Sequence, residues 1–119
     1  MENVQGYTKL IVWQKSMVLI QNVYEFIKVF PTFERYGLCD QIRRSAVSVA
    51  VNIAEGHGRE GSKSFAYFLG VSRGSLAELH TLIMIAQRVG YDKSSQSENL
   101  IQGIFEIRRL LHGLLRSLQ

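Results

Sequence analysis

One cysteine and one proline in 119 residues rule out several classes of protein at the start. The lone thiol, Cys39, has no partner for an internal disulfide and cannot build a cysteine-rich zinc site. A single proline, Pro31, is far too little for a disordered tail, and the 46% hydrophobic content is that of an ordinary folded domain. No run approaches the roughly 20 apolar residues of a membrane span; Gln14 and Lys15 interrupt the most apolar candidate. The opening Met1-Glu2-Asn3-Val4-Gln5-Gly6 lacks the basic-then-apolar order of a secretory signal. These absences point to one soluble cytoplasmic domain over residues 1–119, large enough for a core without staples.

Catalytic and metal chemistry is equally thin. A di-iron carboxylate bundle needs Glu and His three residues apart on facing helices. Glu25, Glu55, Glu78 and Glu106 are followed at that offset by Lys28, Gly58, Thr81 and Arg109. His57, His80 and His112 are too scattered to compensate, and each reads as a surface or packed histidine. Cys39 lies near a helix start, which can lower a thiol pKa, but an imperfect cap or a small core residue explains it as well. Gly56-His57-Gly58-Arg59-Glu60-Gly61-Ser62-Lys63-Ser64 superficially resembles a phosphate loop. It lacks the Gly-Lys-Ser/Thr ending and the preceding strand, although amides at the next helix start, with Arg59 and Lys63, suit one phosphate. No nucleophile, base and orienting group assemble. The expectation is a non-enzyme with no metal and no cofactor.

What the chain does have is helical periodicity in four segments. Leu10, Trp13, Met17, Ile20, Tyr24 and Ile27 step by three and four, with Leu19, Val23, Phe26 and Phe30 beside them, until Pro31 ends the run. Residues 32–36 suit a short turn and Gly37 a stop. The second segment, residues 39–55, carries a thin polar seam of Gln41, Ser45, Ser48, Asn52 and Glu55 on one face. Val47, Val49, Val51 and Ile53 flank that seam, more apolar circumference than a helix with one core to cover needs. The reading is a helix packed on more than one side, and so assembly. Gly56 and Gly58 suit a left-handed helix end. Ser62 is placed to cap a third segment through Phe65, Phe68, Ser72, Ser75, Leu79, Leu82, Ala86 and Val89, with Gly90 ending it. Ser95 and Glu98 form a capping-box pattern ahead of Ile104, Ile107, Leu111, Leu114 and Leu118. Short links between four amphipathic segments predict an all-α, antiparallel, up-down four-helix bundle.

The third segment contains a competing pattern. Ala66, Gly70, Arg73 and Leu76 fall where a helix-turn-helix places its crossing residue, turn, base-facing side chain and inner apolar residue. Against it, the apolar stripe runs through Gly70 and Gly74 without changing phase. Glycine costs about 1 kcal/mol relative to alanine in a helix; close approach of another helix at Gly74 and Ser75 supplies the compensating reason without a turn.

The formal charge of +4 is concentrated centrally. Residues 41–90 hold six basic side chains against three acidic, whereas residues 1–40 balance four against four. Arg43, Arg44, Arg59, Lys63 and Arg73 make the central cluster. Arg108, His112 and Arg116, four apart with Arg109 adjacent, add a stripe on the last helix. Such an excess fits an anionic partner. Asn52 and Glu55 read either as a polar pair at such a contact or as structural groups, Asn52 bonded to a neighbouring helix and Glu55 paired with Arg44, Arg59 or Arg73.

Taken in order, Leu10-Ile11-Val12-Trp13-Gln14-Lys15, Phe30-Pro31 with Glu34, Tyr36-Gly37-Leu38, Gln41-Ile42-Arg43-Arg44-Ser45-Ala46, Ser48, Asn52-Ile53-Ala54-Glu55-Gly56 and Arg59 carry a likeness. Phe68-Leu69, Gly74-Ser75-Leu76 with Glu78-Leu79, and Glu106-Ile107 before Leu110-Leu111 continue it. The sequence resembles the four helix bundle proteins encoded by intervening sequences in bacterial large-subunit ribosomal RNA genes. That resemblance implies a ring-like homopentamer. It also implies kinship with accessory proteins of diversity-generating retroelements, basic rings that bind nucleic acid and a reverse transcriptase. It places Gly74 and Ser75 inside the third helix and makes Asn52, Glu55, Gly56, Gly74 and Ser75 structural or oligomer-contact residues. Cys39 stands where the family usually has Ser or Thr, which implies a weaker cap. The resulting expectation is a pentamer that binds nucleic acid, structured RNA foremost, through Arg43, Arg44, Arg59, Lys63, Arg73, Arg108, Arg109 and Arg116. The rival expectation is a protein-binding scaffold with a partner such as a reverse transcriptase.

Overall fold

The computed structural model describes residues 2–93 and 95–119. A 3-10 helix, Glu2–Lys9, leads into α1 (Ile11–Ile27); a 3-10 turn, Thr32–Glu34, connects to α2 (Leu38–Gly58); α3 (Ser62–Arg88) and α4 (Gln96–Ser117) follow. Each helix neighbours the next and α4 closes against α1, while the α1–α3 and α2–α4 backbones stay apart across the diagonals. This is the antiparallel up-down bundle that the short links require. At about 1.5 Å per residue, α3 alone accounts for most of the 44 Å long axis. It is unbroken through Gly70 and Gly74, which removes the turn that a helix-turn-helix needs.

One buried cluster draws on all four helices. On α1 its ridge is Val12, Ser16, Leu19, Val23 and Phe26. Of the stripe named first in the sequence, Ile27 is buried and Leu10, Trp13 and Ile20 pack against the core, whereas Met17 and Tyr24 are each 43% exposed. Ser16 conceals the true ridge in the sequence; its hydroxyl is satisfied by the Val12 carbonyl at 2.7 Å, so a polar residue sits in the core at little cost. On α2, Ile42, Ala46, Val49 and Ile53 face inward while Val51 is 54% exposed. The apolar surplus on α2 is therefore outward-facing at Val51.

The tightest contact joins α2 to α3. A Cβ at Gly56 would lie 2.6 Å from Phe68 Cβ and 3.1 Å from the Phe65 ring. Gly56 thus lets two helices meet, and it is not a left-handed stop; the positive-φ glycines are Gly61 and Gly90. At Gly70 and Gly74 nothing lies within 4 Å of a Cβ position. Of the close approach expected at Gly74 and Ser75, Ser75 meets Ser48 of α2 at 2.8 Å, while the missing side chain that matters is at Gly56 rather than Gly74.

Helix ends are capped from a distance. Glu34 Oε1 accepts the Leu38 N–H at 3.0 Å, and its Oε2 accepts the Tyr91 hydroxyl at 2.8 Å. One carboxylate therefore starts α2 and ties it to the α3–α4 connection, beside the Phe26–Phe30–Tyr91 aromatic stack. Cys39 is already inside α2, buried, with its thiol 3.8 Å from the Ile27 carbonyl, so its identity does not weaken the cap. Burial pushes that thiol pKa up, opposed by Arg43 and reinforced by Glu34. Ser62 is the first residue of α3 and Gly61 precedes it without a side-chain cap. Ser95 makes no side-chain cap either; Asp92 takes the place of the expected box, accepting the Ser97 N–H at 3.3 Å and the Ser97 hydroxyl.

Gly56→Ala is expected to destabilise the fold by roughly 1–3 kcal/mol, the cost of overpacking a helix contact, read as a lower urea midpoint. A second expectation concerns pH. The Glu34 hydrogen bond, with burial, holds the Tyr91 phenol above its usual value. Its contribution is complete below the unfolded value of about 10 and is lost as pH rises through the higher folded value. The stability difference between wild type and Tyr91→Phe should be constant at neutral pH and shrink in the alkaline limb. A difference that stays constant there contradicts the assignment.

Candidate functional site

The residues of the Asn52-Ile53-Ala54-Glu55-Gly56 segment divide between two helical faces. Ile53 is fully buried in the core and Gly56 admits α3. Between them runs a polar seam at the α2–α3 contact. Asn52 Nδ2 donates to the Ser48 carbonyl and to Ser48 Oγ, both at 2.9 Å. Ser48 Oγ, already accepting from Asn52, also shares a hydrogen bond with Ser75 Oγ at 2.8 Å. Ser72 Oγ donates to the Val49 carbonyl at 2.8 Å. Asn52 thus reaches the neighbouring helix through Ser48, and the small hydroxyls of Ser48, Ser72 and Ser75 let the backbones approach without stranding a polar atom.

Glu55 pairs with Arg59 and with neither of the other two candidates. Arg59 Nε and Nη2 donate to Glu55 Oε2 at 3.0 and 2.7 Å, and the guanidinium carbon lies 5.1 Å from the Phe68 ring centroid. Arg43 donates to Asp40 at 2.9 Å, and Arg44 stands 3.7 Å from the same carboxylate, its side chain 78% exposed. Lys63, Arg73, Arg109 and Arg116 are exposed with no ion pair among the described residues. Arg108 rests over Phe105 at 5.4 Å.

These eight cations do not form one patch on a single subunit. α2 and α4 sit across the bundle diagonal, so Arg43 and Arg44 face away from Arg108, Arg109 and Arg116. Arg59, just past α2, lies about 24 Å along that helix from Arg43, at about 1.5 Å per residue, and Lys63 opens α3 at that same opposite end of the bundle. The structure adds residues that the periodicity did not single out. Two hollows of about 330 and 430 Å³ lie along the α1–α2 crease and share Tyr24 and Arg43. The first also draws in Lys28 and Arg35. Charge clustering along the chain hides this group, because its members come from three separate elements.

The histidines are packed or solvated. His57 meets Phe65 edge-on at 5.6 Å, beneath Gly6, where a Cβ would come within 2.7 Å of the ring. His80 meets Phe105 at 5.1 Å, and His112 is exposed. Among the described residues no three His, Cys, Asp or Glu side chains cluster as a metal site would need. Among them, too, no helix is long and apolar enough to cross a membrane.

The family model for 23S rRNA-intervening sequence proteins matches residues 8–113, which includes the whole seam. No curated protein matches the chain. Among solved structures, the chain is similar to a protein with unknown function from the S23 ribosomal protein family of Bacteroides thetaiotaomicron. The TM-score is 0.81 at 21% identity, over 89% of this chain and 96% of that one. At such identity the likeness shows the fold.

The seam also gives an expected contrast. Glu55→Gln removes a largely exposed ion pair and should change stability by no more than about 0.5 kcal/mol. Asn52→Ala, which strips the donor that polarises Ser48, should cost about 1 kcal/mol. Urea melts of both variants check this; equal losses would mean that the ion pair, rather than the seam, fixes the segment.

Proposed function

The chain belongs to the 23S rRNA-intervening sequence protein family, and from that premise we propose that it is a non-enzymatic, cytoplasmic, homopentameric bundle that binds nucleic acid, structured RNA foremost. The observation that carries the reading is a group of exposed cations lacking an ion pair among the described residues, Lys63, Arg73, Arg109 and Arg116 among them. A cation left free in the folded chain is available to a phosphate without first breaking a pair. Because these side chains lie on different flanks, one subunit offers only scattered contacts. Symmetric assembly multiplies them, and linked weak contacts gain affinity with no new chemistry.

Outward apolar residues support assembly. Val51 on α2 and Tyr67 on α3 are 54% and 67% exposed. A protein-binding scaffold, for example an accessory subunit of a reverse transcriptase, is favoured by a different observation. Phe33 and Tyr36 protrude at 79% and 85% exposure from the α1–α2 connection, an aromatic pair suited to a protein partner.

Light scattering on the full chain, followed by RNA binding across a salt titration, separates the two. The pentameric binder predicts five times the 13.6 kDa chain mass and a log–log salt slope of about −3 or steeper, from three or more phosphate contacts. The same mass with no binding at low salt supports the scaffold. A monomer overturns the multiplied-contact mechanism.

A further inference from the structure

The α1–α2 crease concentrates charge that the rest of the surface disperses. Its two hollows, of about 330 and 430 Å³, meet at Tyr24 and Arg43. Arg35 enters from the 3-10 turn after α1 and has no ion pair among the described residues, Lys28 stands at the end of α1, and Arg43 and Arg44 come from the first turns of α2. Among the described residues, two carboxylates answer these four cations. Glu25 holds Lys28 at 2.8 Å, and Asp40 is divided between Arg43 at 2.9 Å and Arg44 at 3.7 Å. The Lys28–Glu25 pair is exposed and the Asp40 pairs are partly so; such surface pairs contribute little, so a phosphate can displace them. Between the cations, the Tyr24 ring is 43% exposed, and Val47 and Val51 supply an apolar wall.

A recessed cationic track interrupted by an aromatic platform is the combination that holds single-stranded nucleic acid, with phosphates along the track and a base on the ring. Each hollow has the volume of a small-ligand cleft, which takes a base and its sugar and excludes a double helix. We propose that the α1–α2 crease binds a single-stranded segment of nucleic acid, stacking one base on Tyr24 and holding the flanking phosphates with Arg35, Arg43 and Arg44. The assignment rests on the nucleic-acid reading above and names where an unpaired loop or end would enter.

The test is fluorescence anisotropy of a labelled eight-nucleotide single strand, in RNA and DNA forms, against the full chain at low salt, with a duplex of the same sequence alongside. Tyr24→Ala should weaken single-strand binding about fivefold or more, the lower end for loss of one stacking platform, and Tyr24→Phe should restore it. Arg44→Ala should weaken binding and lower the salt slope by about one. Lys9→Ala, on the 3-10 helix at the far end, removes a charge of the same sign and should leave the affinity within twofold. If single strands bind but Tyr24→Ala and Arg44→Ala bind as wild type, the crease is not the site and the broader reading survives. Binding of duplex alone overturns the crease in the same way. Binding of neither form overturns both. A change in light-scattering mass in Tyr24→Ala or Arg44→Ala would assign the crease to a second copy of the chain.

Discussion

The close approach of α2 to α3 is the constraint on which the rest of the bundle depends. It requires a missing side chain at Gly56, because Phe68 Cβ lies 2.6 Å from where one would start. It also requires small hydroxyls facing each other at Ser48 and Ser75, and a buried carbonyl at Val49 that Ser72 can reach. A helix pair held this tightly leaves no space for alternatives in register. α1 and α4 then fill the two remaining sides, contributing Leu19, Val23, Phe26, Ile104 and Ile107 to one core. The family segment around Asn52 follows from this demand, since three of its five residues serve the contact or the core.

That constraint also explains which part of the molecule is free for partners. The polar groups of the α2–α3 seam are spent on one another, and Arg59 is spent on Glu55. What remains outward is the flank of α2 beside the seam, with Val47, Val51, Arg43 and Arg44, and the scattered cations of α3 and α4. The seam is structural, whereas the charge lies on surfaces that it leaves uncovered.

The four helices and their order were legible because apolar spacing survives wherever one face is buried. The phase of α1 was not, since Met17 and Tyr24 are as apolar as the ridge beside them and Ser16 disguises that ridge as surface. Caps are hidden for a similar reason: Glu34 and Asp92 reach the starts of α2 and α4 from outside the local patterns at Cys39 and Ser95, and Ser62 falls inside α3 without capping it. Gly56 and Gly74 could not be told apart in the sequence, because both are helical glycines and only the neighbouring helix distinguishes them. Among the cations, identity was legible and pairing was not. Arg43 and Arg59 find carboxylates three and four residues away, and the Lys28–Arg35–Arg43 grouping exists only once the connection after α1 has turned.

The central claim is that the α2–α3 seam organises the bundle, and native-state hydrogen exchange tests it most directly. Helix amides over residues 45–53 and 69–83 should exchange last and only through global unfolding, with α1 and α4 opening at lower free energy. Amides of α1 or α4 that outlast those of the seam would contradict the account.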